Sequence, residues 1–194
     1  LFERGEKVSG SDRAKSPYSI ALEKDGVTVI YGHRAENITG ADLVIASSAV
    51  PESNVELQAA RSAGIPVLRR SEFLGQLTSE YRTIAVAGTH GKTTTSGLIA
   101  WILNQAGFNP SFIVGGIQKN FGTNAQAGSG QDFVIEADEY DRTFLGLHPN
   151  VAVVTTVEHD HPDCYPTWED YKKAFETFAN QVSELLVVCC DNPG

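Results

Sequence analysis

The apolar positions of this chain fall into short consecutive runs, separated by polar turns and by stretches in which apolar residues recur at helical spacing. The clearest run is Thr83-Ile84-Ala85-Val86-Ala87, which suits a strand covered on both faces of a parallel sheet. Leu98, Ile99, Ile102 and Leu103 then recur with the period of a helix. Further runs at Ser111 to Val114, Phe133 to Glu136, Val151 to Thr155 and Leu185 to Cys189 predict more strands of the same buried kind. Between Thr167 and Val182, the stripe Trp168, Tyr171, Phe175, Phe178 and Val182 predicts a helix packed on the core.

The earlier part of the chain has the same rhythm. Val8 to Asp12 reads as a strand, Ser16 to Lys24 as a helix, Val27 to Tyr31 as a strand and Leu43 to Ala46 as a buried strand. Asn54 to Ala63 predicts a helix closed by Gly64, and Ile65 to Leu68 another strand. Alternation of this sort predicts an α/β fold, a parallel sheet with helices on its faces. Ser71 to Ser79 reads as a connecting helix, so the expected division lies near Glu80, into residues 1–80 and 81–194. The chain opens at Leu1 on what reads as the end of a helix, contains no Met, and closes on Asp191-Asn192-Pro193-Gly194 directly after a strand. We therefore expect it to be a fragment of a longer protein.

Composition narrows the function. A chain of 194 residues can form one large or two small domains. Its net charge of -9 argues against a nucleic-acid surface, and the acids cluster at Glu136 to Asp141 and Glu158 to Asp163, which is compatible with metal sites. No apolar run is long enough to span a bilayer and no signal-peptide layout opens the chain, so a cytoplasmic protein without a membrane partner is expected. Cys164, Cys189 and Cys190 lack zinc spacing and are expected to be reduced thiols.

The candidate chemistry centres on Gly88-Thr89-His90-Gly91-Lys92-Thr93-Thr94, between the Thr83 strand and the helix that follows. Glycines permit close backbone approach, the helix N-terminus favours a phosphate, Lys92 adds a point charge, and the Thr93 hydroxyl suits Mg2+. The spacer Thr89-His90 is shorter than in the general phosphate-loop pattern, and a tight strand-to-helix turn without ligand is the alternative. The role of His90 stays open. Glu136 ends one strand and His161 follows another, on the side of the sheet where the loop opens, so both are candidate metal ligands; an exposed acidic face is the other reading. Ser47 and Ser48 lie at a strand end where ligands bind or where they simply cap a turn. Gly115 to Asn124 reads as a glycine-punctuated loop that reaches over a ligand or merely connects.

Taken together, Gly88-Thr89-His90-Gly91-Lys92-Thr93-Thr94-Thr95, Glu136-Ala137-Asp138-Glu139-Tyr140-Asp141 and Glu158-His159-Asp160-His161-Pro162-Asp163-Cys164-Tyr165 resemble the Mur ligase family. Ser47-Ser48-Ala49-Val50, Arg70-Ser71-Glu72-Phe73-Leu74 and Gly122-Thr123-Asn124-Ala125 extend the resemblance over essentially the whole chain. It implies a partial Rossmann-like UDP-sugar domain over residues 1–80 and an incomplete P-loop-type, doubly wound Mg-ATP domain over 81–194, with a third, amino-acid-binding domain lying outside the chain. It also implies that Gly88, Thr89, His90, Gly91, Lys92, Thr93 and Thr94 cradle ATP, with Lys92 on the β/γ-phosphates. Thr93, Glu136 and His161 would hold Mg2+, and Ser47, Ser48 and Asn124 would meet the UDP-sugar. Residues beside the Asp160-His161 pair depart from many relatives, which leaves His159 as an alternative to His161. The implied reaction joins L-alanine to the lactyl carboxylate of UDP-N-acetylmuramate through an acyl phosphate, in cell-wall precursor synthesis. A recycling ligase that takes a preformed peptide and a non-catalytic nucleotide-binding module are the competing readings.

Overall fold

A computed structural model describes residues 1–191 of the chain; Asn192-Pro193-Gly194 of the expected closing segment lie outside the described residues. The chain divides into two compact units, Leu1–Arg70 and Ser71–Gly194, so the helix expected to connect them falls almost wholly within the second.

The first unit contains strands β1 (Ser9–Asp12), β2 (Thr28–Tyr31), β3 (Val44–Ala46) and β4 (Val67–Arg69), with helices α1 (Pro17–Lys24) and α2 (Val55–Ser62). The expected helix end at the N-terminus is a short 3-10 turn, Phe2–Arg4. Ser16 caps α1 through a reciprocal pair of hydrogen bonds with Ser19, and the Asn54 side chain caps α2 by accepting from the N–H groups of Glu56 and Leu57. The sheet differs from expectation: β1 pairs with β2 and β3 with β4, each in parallel, as two separate two-stranded pairs. The Leu43 run is also less covered than a buried strand, with Leu43 and Ile45 exposed and Ala46 buried.

A buried carboxylate ties this unit together. Glu56 Oε2 accepts from Ser11 Oγ at 2.6 Å and lies 3.1 Å from His33 Nδ1, while Oε1 accepts from Asn37 Nδ2 at 2.5 Å. Burial alone would raise the Glu56 pKa, but hydrogen bonds from Ser11, Asn37 and His33 outweigh it and hold the group below its ordinary 4.5. A depressed folded-state pKa contributes stability that is complete above the unfolded value and disappears as pH falls through the folded value. Thermal unfolding between pH 7 and about pH 3 should therefore show acid sensitivity that Glu56→Gln reduces; an unchanged acid limb would remove Glu56 as its source.

The second unit is built on a six-stranded sheet in the order β10-β9-β5-β8-β6-β7. Its strands are β5 (Arg82–Ala87), β6 (Ser111–Gln118), β7 (Thr123–Gln126), β8 (Asp132–Glu136), β9 (Val151–Val154) and β10 (Leu185–Val188). All neighbours run parallel except β6 and β7. Successive residues of β5 and β8 point to opposite faces, which is why both strands are apolar throughout. Ile84 and Val134 pack with Ala100 of helix α4 (Lys92–Gln105). On the other face Ala85, Ala87, Phe133 and Ile135 pack with Leu74 of α3 (Arg70–Ser79) and with Tyr171, Phe175 and Phe178 of α5 (Trp168–Asn180). The predicted stripe of α5 is core packing, centred on Phe178 stacked against Phe144 at 5.0 Å. Each such fully buried aromatic contributes roughly 1.5–3 kcal/mol by leaving water.

One expectation for this sheet is corrected. Gly115 to Asn124 is mostly not a loop: β6 runs on to Gln118 and returns as antiparallel β7, with Gln118 opposite Thr123 and Gly122 at φ 73° in the turn. A hairpin satisfies backbone groups that an open loop would leave to solvent, and lack of side chains at Gly115 and Gly116 hides the strand in the sequence. In this chain β10, the last strand described, lies at the sheet edge with Leu185 to Val188 exposed by 38–56%.

Candidate active site

β5 is central, β8 and β9 flank it, and all three end on the same side. The segments leaving those ends form the site, as the open parallel architecture favours. After β5 the chain turns through Gly88 at φ 124°, where a β-carbon would strike Thr155 Oγ1 and lie 2.9 Å from the Thr156 carbonyl. Gly91, at φ 80°, is the N-cap of α4 and offers no side-chain cap. The first N–H groups of α4, on Lys92, Thr93 and Thr94, therefore have neither an intrahelical carbonyl nor a capping side chain, and they favour an anion.

The loop is fastened from β9. The Thr89 N–H donates to the Thr156 carbonyl at 2.7 Å, and Thr155 Oγ1 donates to the His90 carbonyl at 2.5 Å. Thr89 is thus occupied as a backbone donor. Its hydroxyl accepts from the Glu158 N–H at 2.9 Å and lies 3.0 Å from the Tyr171 hydroxyl. His90 is exposed, with Nε2 3.7 Å from a Glu158 oxygen. Gly88→Ala should displace the loop and cost about 1–3 kcal/mol of stability; thermal unfolding checks this, and unchanged stability would show that the observed turn is not needed.

Two side-chain groupings face this loop. Thr93 Oγ1 donates to Glu136 Oε1 at 3.0 Å, and the Gly115 N–H donates to Glu136 Oε2 at 2.6 Å. A β-carbon on Gly115 would lie 2.8 Å from both Glu136 oxygens, so the glycine admits the carboxylate. Adjacent oxygen ligands of an octahedral Mg2+ with bonds of about 2.0–2.1 Å stand roughly 3 Å apart, and the Thr93–Glu136 pair fits that requirement. In the second grouping, Lys92 Nζ lies 2.9 Å from Glu139 Oε1 and 2.7 Å from Oε2, and His161 Nε2 lies 3.6 Å from Oε1. Among the described residues no three His, Cys, Asp or Glu side chains converge as a metal-binding group. Glu136 is placed with Thr93, and His161 with Glu139 and Asp160. His159 Nε2 faces the Tyr165 carbonyl at 2.9 Å and must carry the proton there, so of the two histidines only His161 turns Nε2 toward the loop's ion pair.

Ser47 and Ser48 are exposed just beyond β3, where Ser47 Oγ accepts from the Ala49 N–H at 3.3 Å, the turn-capping role. Asn124 is on β7, its amide donating to the Val114 carbonyl at 3.4 Å. Sequence reasoning missed Glu139, Tyr171 and the Thr155–Thr156 fastening. Glu139 stands among four acids in six residues, and nothing in that run marks which one is buried. Tyr171 belongs to the core stripe as expected, yet its hydroxyl reaches Thr89 and Glu139, and burial raises its pKa so that it stays a neutral donor.

Residues 1–82 match the Mur ligase family, catalytic domain, and residues 86–194 match the Mur ligase middle domain. A UDP-N-acetylmuramate–L-alanine ligase of Roseiflexus sp. is 49% identical over the whole chain, which spans 42% of that relative's length. Among solved structures, the UDP-N-acetylmuramate-alanine ligase of Thermotoga maritima is 31% identical with a TM-score of 0.89, covering 98% of this chain and 45% of that one. The UDP-N-acetylmuramate:L-alanyl-gamma-D-glutamyl-meso-diaminopimelate ligase of Neisseria meningitides is 30% identical with a TM-score of 0.88, covering 98% of this chain and 66% of that one. With the middle-domain match extending over more than half of its residues, this chain belongs to the Mur ligase family.

Proposed function

We propose that the full-length protein is an ATP-dependent ligase that joins L-alanine to the lactyl carboxylate of UDP-N-acetylmuramate in the cytoplasm. The observation that carries the reading is the pairing of an uncapped helix N-terminus and the Lys92 ammonium with the Thr93–Glu136 oxygen pair. Identity of 49% to a relative bearing that name supplies the substrates. The second unit then serves Mg-ATP through Gly88 to Thr94. Ser47 and Ser48 are candidates for the UDP-sugar, as is Asn124.

ATP supplies the phosphoryl group that activates the carboxylate, and Mg2+ neutralises charge on the phosphates. Thr93 and Glu136 would hold one metal ion, and His161 would serve a further one. Lys92 and the N–H groups that open α4 orient the phosphates and stabilise the charge spread over the transferring group, a task of positioning and electrostatics rather than of a general base. The backbone of the loop is already organised for it, because Thr155 and Thr156 hold Thr89 and His90 in place.

A second reading is a ligase whose acceptor is a preformed peptide, favoured by the likeness to the Neisseria enzyme. Phosphate release by the full-length protein with Mg-ATP and UDP-N-acetylmuramate separates the two. Release with L-alanine is expected; release only with L-alanyl-γ-D-glutamyl-meso-diaminopimelate would establish the second reading, and silence with both would make this a binding module.

A further inference from the structure

Glu139 lies on the short turn after β8, and its side chain is 0% exposed. It faces Lys92, whose own side chain is only 13% exposed. An ammonium has three donors. Those of Lys92 are directed at the Gly88 carbonyl at 2.6 Å, the Thr89 carbonyl at 3.4 Å and the Glu139 carboxylate. All three acceptors belong to the protein, and no donor remains for a phosphate. Of the three, Glu139 alone has the charge of a phosphate.

The carboxylate is also incompletely satisfied. Oε1 takes the hydrogen bond from Lys92 and lies 3.4 Å from the Tyr171 hydroxyl, whereas Oε2, 2.7 Å from the ammonium, accepts no well-directed hydrogen bond. A buried pair with an unsatisfied oxygen recovers less of its desolvation cost than a fully bonded one. We propose that Glu139 is a resident anion of the phosphate loop: it holds Lys92 while no nucleotide is bound, and ATP must take the ammonium from it. On product release the same carboxylate recaptures Lys92 and helps expel ADP. Glu139 is thus a positioning residue, acting through Lys92. Its setting suits the exchange, since Tyr171 links it to Thr89 of the loop and His161 Nε2 lies 3.6 Å from the same Oε1 that Tyr171 reaches. The inference rests on reading the loop as an ATP site.

The test compares ATP and ADP dissociation constants of the full-length protein with those of Glu139→Gln, by calorimetry in Mg2+. Removing the competing charge should tighten both about fivefold, the equivalent of about 1 kcal/mol. Glu176→Gln, an exposed carboxylate on α5, controls for net charge and should leave both constants unchanged. If Glu139→Gln fails to fold, Glu139→Asp keeps the charge but withdraws it by one methylene and should tighten binding in the same direction, by less. Unchanged or weaker nucleotide binding in the folded variant overturns the inference while leaving the ligase reading intact. Absence of ATP binding by the unsubstituted protein overturns both.

Discussion

Lys92→Ala should lower ATP-dependent turnover of the full-length protein by about a thousandfold or more. The substitution removes the Lys92 ammonium from the loop and leaves Glu139 buried without its counter-ion. An uncompensated buried carboxylate costs about 3–5 kcal/mol, so part of any loss in the single variant could come from unfolding. The double variant Lys92→Ala, Glu139→Gln separates these effects. It should regain much of the thermal stability and none of the turnover, because the phosphates still lack their cation. Near-normal turnover in either variant would sink the assignment of this loop.

Glu136→Ala has the second largest effect. Its carboxylate is held by the Thr93 hydroxyl and the Gly115 N–H, and on the proposed reading its loss would leave Thr93 as the single oxygen of the pair for Mg2+. Even outer-shell partners of a metal cost 10–100-fold when removed, so the Mg2+ concentration for half-maximal turnover should rise at least about tenfold. Stability should change little, since Gly115 is exposed and its freed N–H can meet water. A titration of phosphate release against Mg2+ reads this directly; an unchanged Mg2+ requirement would move the metal away from Glu136.

The second unit was legible from sequence because its strands are buried on both faces. Ile84, Ala85, Val86 and Ala87 have to be apolar in succession when helices cover each side, and the loop glycines follow at once. The same logic failed at Gly115 to Gln118, where strand geometry comes from pairing with Thr123 to Gln126 rather than from any residue preference. The strand-to-helix turn was legible where backbone conformation restricts the choice, as at Gly88, and where the residue order puts a helix start at Lys92 and Thr93. Glu139 was not, because burial of one acid among neighbouring acids is decided by Lys92, distant in sequence. The capping of Ser47 and the Glu56 network of the first unit likewise depend on partners that periodicity does not announce.

In the proposed reaction a phosphoryl group passes from ATP to the lactyl carboxylate. The direct measurement is the fate of oxygen: full-length protein, Mg-ATP, L-alanine and UDP-N-acetylmuramate labelled with 18O in its lactyl carboxylate. Attack of the amine on an acyl phosphate expels the oxygen that bridged carbon and phosphorus. Inorganic phosphate, analysed by mass spectrometry, should therefore acquire label from the carboxylate as amide forms. Unlabelled phosphate alongside amide, or label appearing in AMP, would contradict it.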